Sequence, residues 1–273
     1  MKSLNMRVIE KGSLTNFTFF NDGYFYKCTL PFVNAFIDFS NYYHVLLFLE
    51  SKNFLNTLQI KETNYDKKYF YLKMSYFPNL VKINHEREIN EEILVSFSKL
   101  INSFHSFSYE PTAKIKTWDY KQQLCIYWSL ISKNDKKSLW DYYSLTSDYF
   151  SNYKVKKLVF SHNDLVLNNF VKFKDKWYLI DFEFSTWNDY LFDIASFASE
   201  NLSKKNNIEK WFSHFSLTKE EKKKLWFLMF YQNLIFTCWA TFCFEKTKKK
   251  EYSLIRTEKL KKLKDSFLFL KKI

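Results

Sequence analysis

The chain has 273 residues, 47% hydrophobic and 21% aromatic, so it can bury a full core and is too apolar for a disordered segment. Its net charge of +13 admits a basic surface for nucleic acid or anionic lipid. However, Arg occurs only at Arg7, Arg87 and Arg256 amid abundant Lys, Asn, Phe and Tyr, a skew that reads as coding bias, with no nucleic-acid partner expected. Cys28, Cys125, Cys238 and Cys243 show no C-x-x-C pair, so neither zinc nor a disulfide framework is indicated. No leader-like segment opens the sequence and no apolar run reaches bilayer length, so the expected setting is a reducing cytoplasm.

In chain order, residues 5–30 read as paired hairpins. Val8-Ile9 leads through Lys11–Asn16 to a strand at Phe17–Phe20, Asn21-Asp22-Gly23 makes a tight turn, and Tyr24–Leu30 returns with Lys27 on it. Gly12, Ser13, Thr15 and Asn16 offer backbone N–H groups and hydroxyls that suit a phosphate, though an ordinary hairpin fits them as well. A helix is expected from about Asp38 to Ser51, then an aromatic strand at Tyr69–Met74 ending at Pro78. Ile93, Leu94, Phe97, Leu100, Ile101 and Phe104 recur at helical spacing within Glu91–Phe107, and Trp118–Tyr149 supplies further helix. Beyond Asn201 the chain is helical and Lys-rich. Thr218 and Glu221 form a capping-box pattern before the apolar stretch Leu225–Phe244. The Lys246–Lys250 run reads as a solvated turn before an amphipathic helix at Glu258–Phe269.

The chemistry lies between these regions. Two short apolar strands, Lys157–Phe160 and Trp177–Ile180, each end on polar residues. His162-Asn163-Asp164 follows the first, with Asn169 five positions past Asp164, and Asp181-Phe182-Glu183 follows the second. Phosphoryl transfer needs a carboxylate to receive a hydroxyl proton, and an amide and a second carboxylate to hold Mg²⁺ against the phosphates. The kinase catalytic loop spaces its Asp and Asn in this way, with a metal-binding Asp on the next hairpin. Singly, these residues fit turn caps and strand-end acids; together, each after an apolar strand, they point to phosphoryl transfer. The spellings HND and DFE resemble the choline kinase and aminoglycoside phosphotransferase branch of the kinase-like fold, with bacterial choline kinases the nearest relatives.

That resemblance implies a role for each matching position. Asp164 would be the catalytic base, and Asn169, Asp181 and Glu183 would serve the metal. Gly12, Ser13, Thr15 and Asn16 are similar to the family's G-G-x-T-N phosphate loop. Lys27 would meet the α/β-phosphates. Its helix glutamate is missing: Tyr42 stands nearest the expected place and Glu50 comes too late. Met74 and Tyr76 would flank the adenine at the hinge. His105 and His162 would be structural, and Asp193 would support the loop or cap a helix at Ile194–Asn201. A quaternary ammonium has no N–H donors and is held by π-faces and charge; that cage falls on Phe184, Glu200, Phe236, Trp239 and Tyr252, with Arg256 one turn on. Val166 replaces a polar residue of eukaryotic choline kinases, which loosens strict choline selectivity.

The expectation is therefore an α+β, two-lobed protein-kinase-like fold. It has a small β-rich N-lobe (residues 1–78) and a larger, mainly helical C-lobe (79–273), a homodimer being one expected assembly. The expected activity is an ATP- and Mg²⁺-dependent kinase for a small cationic alcohol, choline first, with ethanolamine, thiamine or an aminoglycoside as alternatives. A catalytically idle basic binding protein is the alternative of another class.

Overall fold

The computed structural model describes residues 7–8, 15–54, 57, 59–65 and 70–271; Gly12 and Ser13 lie outside them. The turn forms as the sequence predicts. Asp22 (φ 48°) and Gly23 (φ 81°) are both left-handed, which matches the strand twist and joins β2 (Asn16–Asn21) to β3 (Tyr24–Thr29). With β1 (Arg7–Val8), β4 (Ile60–Tyr65) and β5 (Phe70–Ser75), these build an antiparallel five-stranded sheet in the order β1-β2-β3-β5-β4. Lys27 is thus on the middle strand, opposite Thr18 on one side and Leu72 on the other.

Helix α1 (Phe39–Ser51) starts where expected, because the Asp38 carboxylate accepts from the Asn41 N–H at 3.1 Å. It packs on the sheet through Tyr42, whose ring stacks on Phe70 at 4.3 Å. β6 (Val81–Lys82) joins β8 (Phe170–Phe173) and β9 (Lys176–Leu179) in a small sheet, while β7 (Leu158–Ser161) pairs with β10 (Thr186–Asp189). The two strands carrying the polar motifs therefore belong to different ladders. Beneath them lies α2 (Glu91–His105), whose Phe97 stacks on Phe170 at 3.9 Å.

The predicted helical stretch Trp118–Tyr149 is two helices, α3 (Tyr120–Ser129) and α4 (Lys133–Ser151), since Ser132 accepts from the Asp135 N–H and starts a new helix. The rest is α5 (Leu191–Asn201), α6 (Lys205–Phe212), α7 (Lys219–Thr247) and α8 (Lys250–Leu270). Thr218 and Glu221 close a reciprocal capping box at 3.2 and 2.8 Å, and Lys248 turns left-handed (φ 57°) to end α7 inside the lysine run. Contrary to the expectation from sequence, α7 is long and apolar enough to cross a membrane; 83% of that apolar window is buried inside the fold, where Gln232 donates to the Phe192 carbonyl of α5 at 3.1 Å.

The sequence has only two glycines. The left-handed positions therefore fall mostly to Asn and Asp, which tolerate that region better than other residues. Two of them, Asn163 (φ 67°) and Asp181 (φ 69°), lie inside the motifs singled out above.

Candidate active site

Asp164 stands at the end of β7 on a loop held rigidly from below. The Asp193 carboxylate, in the first turn of α5, accepts from the backbone N–H groups of His162 (3.0 Å) and Asn163 (2.8 Å). His105 Nε2 meets the same carboxylate at 2.8 Å. Burial alone raises a carboxyl, but His105 and these donors hold Asp193 below its ordinary pKa. Asp193 thus ties the loop; α5 begins at Leu191, so Asp193 is not its cap. The left-handed turn at Asn163 lets its amide bridge Phe184 O and Thr186 Oγ1, both at 2.8 Å, while its oxygen accepts from Asn188 at 2.9 Å. His162 donates from Nε2 to Ile180 O at 3.0 Å and accepts at Nδ1 from the Asp164 N–H at 3.4 Å. The ring is therefore the neutral tautomer, and burial holds its pKa below the usual histidine range.

Asn169 donates to the carbonyl oxygen of Asp164 at 2.8 Å and to its carboxylate at 3.1 Å. That fixes the amide flip and leaves the amide oxygen as the end available to a cation. Asp164 itself is pushed up to about 8, first by desolvation, then by the charges of Glu200, Asp181 and Glu183, with the Asn169 bond pulling the other way. A carboxylate poised there is a competent proton acceptor near neutral pH.

Asp181 and Glu183 converge on Lys27. Lys27 is 5% exposed, its ammonium ion-paired with Asp181 and with Glu183, the latter at 2.6 Å. Burial alone would lower Lys27, but the two carboxylates raise it well above the ordinary lysine value. Glu183 is pushed up to about 7, by burial and then by its neighbour Asp181. Tyr42 of α1 stands beside this cluster, with Lys27 Nζ 5.5 Å from its ring centroid, and the acids that pair with Lys27 are Asp181 and Glu183.

A cavity of about 310 Å³ opens between the five-stranded sheet and the catalytic loop, lined by Lys27, Met74, Tyr76, Asn169, Asp181 and others. Thr15 and Asn16 do not line it. Both are buried at the base of β2, bonded to each other at 3.0 Å; Thr18, opposite Lys27, lines the cavity in their stead. Oxygen donors without a soft ligand suit Mg²⁺, which keeps several waters and takes few protein groups. Asn169 and Asp181 supply that donor set, and among the described residues no cluster of three or more His, Cys, Asp or Glu side chains suits a harder-bound metal.

On the far side of Asp164 the aromatic residues assemble around one ring that sequence reasoning missed. Phe36, on the loop before α1, lies parallel to Phe184 at 6.4 Å and meets Trp239 edge-on at 6.3 Å. Phe236 and Tyr252 reach Trp239 at 6.2 and 5.5 Å. Tyr252 is fully buried, so its ring braces Trp239 and presents no face to a ligand in this conformation. Glu200 is paired with Lys259 of α8 at 2.5 Å. Arg256 turns away to Asp135 at 2.6 Å and takes no part in the site.

The model of the family described as choline/ethanolamine kinase matches residues 52–263. The chain belongs to the choline/ethanolamine kinase family. Among solved structures, the choline kinase LicA from Streptococcus pneumoniae superposes with a TM-score of 0.75 at 16% identity, over 96% of this chain and 94% of that one. A choline/ethanolamine kinase family protein from Mesorhizobium loti gives 0.71 at 11% identity, over 96% and 87%. An aminoglycoside 2′-phosphotransferase bound to GDP gives 0.69 at 13%, over 98% and 93%. No curated protein sequence matches the chain. The fold is thus the two-lobed kinase-like one, and the protein is a phosphotransferase with an alcohol acceptor.

Within that family frame, three further residues position the site. Asn201 holds the catalytic loop from the end of α5, donating to Leu165 O at 2.7 Å and accepting from the Leu167 N–H at 2.9 Å. Tyr127, fully buried, sits close enough to Asp164 and Glu183 for their charges to raise its phenol after burial has done so. Lys259 is the third. Asn201 had a readable signal, one position past Glu200; Tyr127 and Lys259 had none.

Proposed function

We propose that this protein is an ATP- and Mg²⁺-dependent kinase that phosphorylates the hydroxyl of a small amino alcohol, with choline the first acceptor to test. The observation that carries the reading is that Asn169 and Asp181 line the 310 Å³ cavity together with Lys27, while the Asn169 amide also donates to the Asp164 carboxylate at 3.1 Å. In this reading the 1–78 region receives the nucleotide, with adenine at Met74–Tyr76, and the 79–273 region carries the acceptor. Asn169 and Asp181 hold Mg²⁺, with Glu183 beside it, and the ion neutralises phosphate charge when bound. Lys27 moves from the two acids to the phosphates as nucleotide enters. Asp164 orients the acceptor hydroxyl and takes its proton, helped by a pKa lifted to about 8. Most of the rate then comes from positioning and charge neutralisation.

The aromatic set Phe36, Phe184, Phe236 and Trp239 with Glu200 supports a cationic head group. Two lysines of α8 face this region: Lys259 pairs with Glu200, and Lys262 donates to Ser199 O at 2.9 Å. A polycationic aminoglycoside needs clustered acids in that place, so it is the weaker reading. The test is Asp181→Ala with ATP, Mg²⁺ and choline in the assay. Turnover is expected to disappear while the far-ultraviolet dichroism is retained; an active variant overturns the metal role of Asp181.

A further inference from the structure

The acid expected to hold a substrate cation already holds one. Lys259 is 4% exposed; its ammonium pairs with Glu200 Oε2 at 2.5 Å and lies 5.6 Å from the centroid of the Phe236 ring. A carboxylate on one side and a π-face on the other is the seat that recognises an organic cation. We infer that Lys259 is a tethered stand-in for the acceptor's cationic group: it fills the Glu200–Phe236 seat in the acceptor-free enzyme, is expelled when an organic cation enters, and thereby sets acceptor affinity. The inference rests on the reading of this region as the acceptor site.

Three observations favour a lysine that can leave over one that is fixed. The ammonium has no well-directed hydrogen-bond acceptor, and Glu200 Oε1 and Trp239 Nε1, buried in the same cluster, have no partner either. A buried ion pair left so poorly satisfied contributes little net stability, since desolvation offsets the attraction. The attachment of α8 to α5 rests on another residue: Lys262, one turn on, donates to the carbonyls of Ser199 and Glu200 at 2.9 and 3.1 Å. Lys259 can therefore swing out without freeing the helix. Burial also holds its pKa below the usual lysine range, against the pull of Glu200, a sign that the seat solvates this ammonium less well than water does. A methylated ammonium brings no N–H donors of its own to leave unsatisfied in that seat, whereas Lys259 does.

The consequence is competition. A seat occupied by the tethered cation nine-tenths of the time weakens an entering cation about ten-fold, because apparent affinity scales with the vacant fraction. The test is calorimetric titration of the full chain with tetramethylammonium, a probe of the seat that cannot be phosphorylated. Lys259→Met is expected to bind it about ten-fold more tightly than wild type, with the KM for choline falling in parallel and the KM for ATP unmoved. Lys259→Gln, which keeps a donor for Glu200, serves if the methionine variant does not fold. In the wild-type chain, saturating tetramethylammonium should raise the rate at which Lys259 is acylated, read by mass spectrometry. Unchanged or weaker binding in both variants, no binding to any of the three proteins, or a Lys259 no more reactive with the probe than without it overturns the inference. Tighter probe binding without turnover of any alcohol retains the stand-in and defeats the kinase reading; turnover without a Lys259 effect does the reverse.

Discussion

Replacing Lys27 by Met removes the cation that Asp181 and Glu183 share. Lys27 is 5% exposed and its ammonium contacts both Asp181 and Glu183. Removing one partner of a buried ion pair costs about 3–5 kcal/mol, because the charges left behind lose both their counter-ion and their solvent. For a chain of this size each kcal/mol is worth about 2–4 °C, so the melting temperature should fall by about 6–20 °C. Two additions should return part of the loss. Glu183→Gln in the same chain removes one of the unpaired charges, and millimolar MgCl₂ puts a cation where the ammonium was. Wild type should respond less to Mg²⁺ alone, because Lys27 already occupies Asp181. Differential scanning fluorimetry of the three proteins, with and without Mg²⁺, reads all of this. A Lys27→Met variant melting within about 1 °C of wild type, or one indifferent to both additions, would refute the argument that Lys27 neutralises the DFE acids.

Two predictions concern pH. Lys156, Tyr190 and the Thr218 cap hold Glu221 down to about 2, outweighing burial. A carboxyl depressed on folding stabilises the fold above its unfolded value and loses that contribution as pH falls between about 4.5 and about 2, here about 1–2 kcal/mol once screening at the exposed Lys156 is allowed for. Urea midpoints for Glu221→Gln should therefore lie below wild type at pH 6 and converge with it at low pH; parallel curves contradict the assignment. His162 follows the same sign at a higher pH: its folded pKa lies below the ordinary 6.5, so the unfolded chain binds its proton first and stability drops as pH falls through 6.5. His162→Gln should flatten that limb of the profile, and an unaltered limb would exclude His162 as its source.

What the sequence made legible was local. The turn at Asp22-Gly23 and the Thr218–Glu221 capping box depend on residues at most three apart, and both form as the spacing implies. Asp164 and Asn169 share one short loop, so their spacing alone put them within hydrogen-bond reach. The less legible features depend on distant pairing. Lys27 meets Asp181 across 154 positions, and no local spacing indicated that the DFE acids would be its partners. Lys259 reaches Glu200 from a helix whose amphipathic pattern drew attention to its leucines, and Phe36 is one phenylalanine among 31. Thr15 and Asn16 matched a phosphate-loop spelling, and what that spelling did not reveal is that the strand begins at Asn16 with both residues buried. The break between α3 and α4 was hidden because Ser132 caps a helix inside an otherwise continuous helical pattern.

The central claim is that Asp164 serves phosphate transfer to a small cationic alcohol. It is tested most directly by ADP release from ATP and Mg²⁺ with choline, ethanolamine, thiamine and kanamycin in parallel, using wild type and Asp164→Ala. The account predicts turnover with choline, reduced at least about 100-fold in the variant, as expected when a general base is removed. Wild-type turnover that survives the Asp164 substitution, or no turnover with any of the four alcohols, would contradict it.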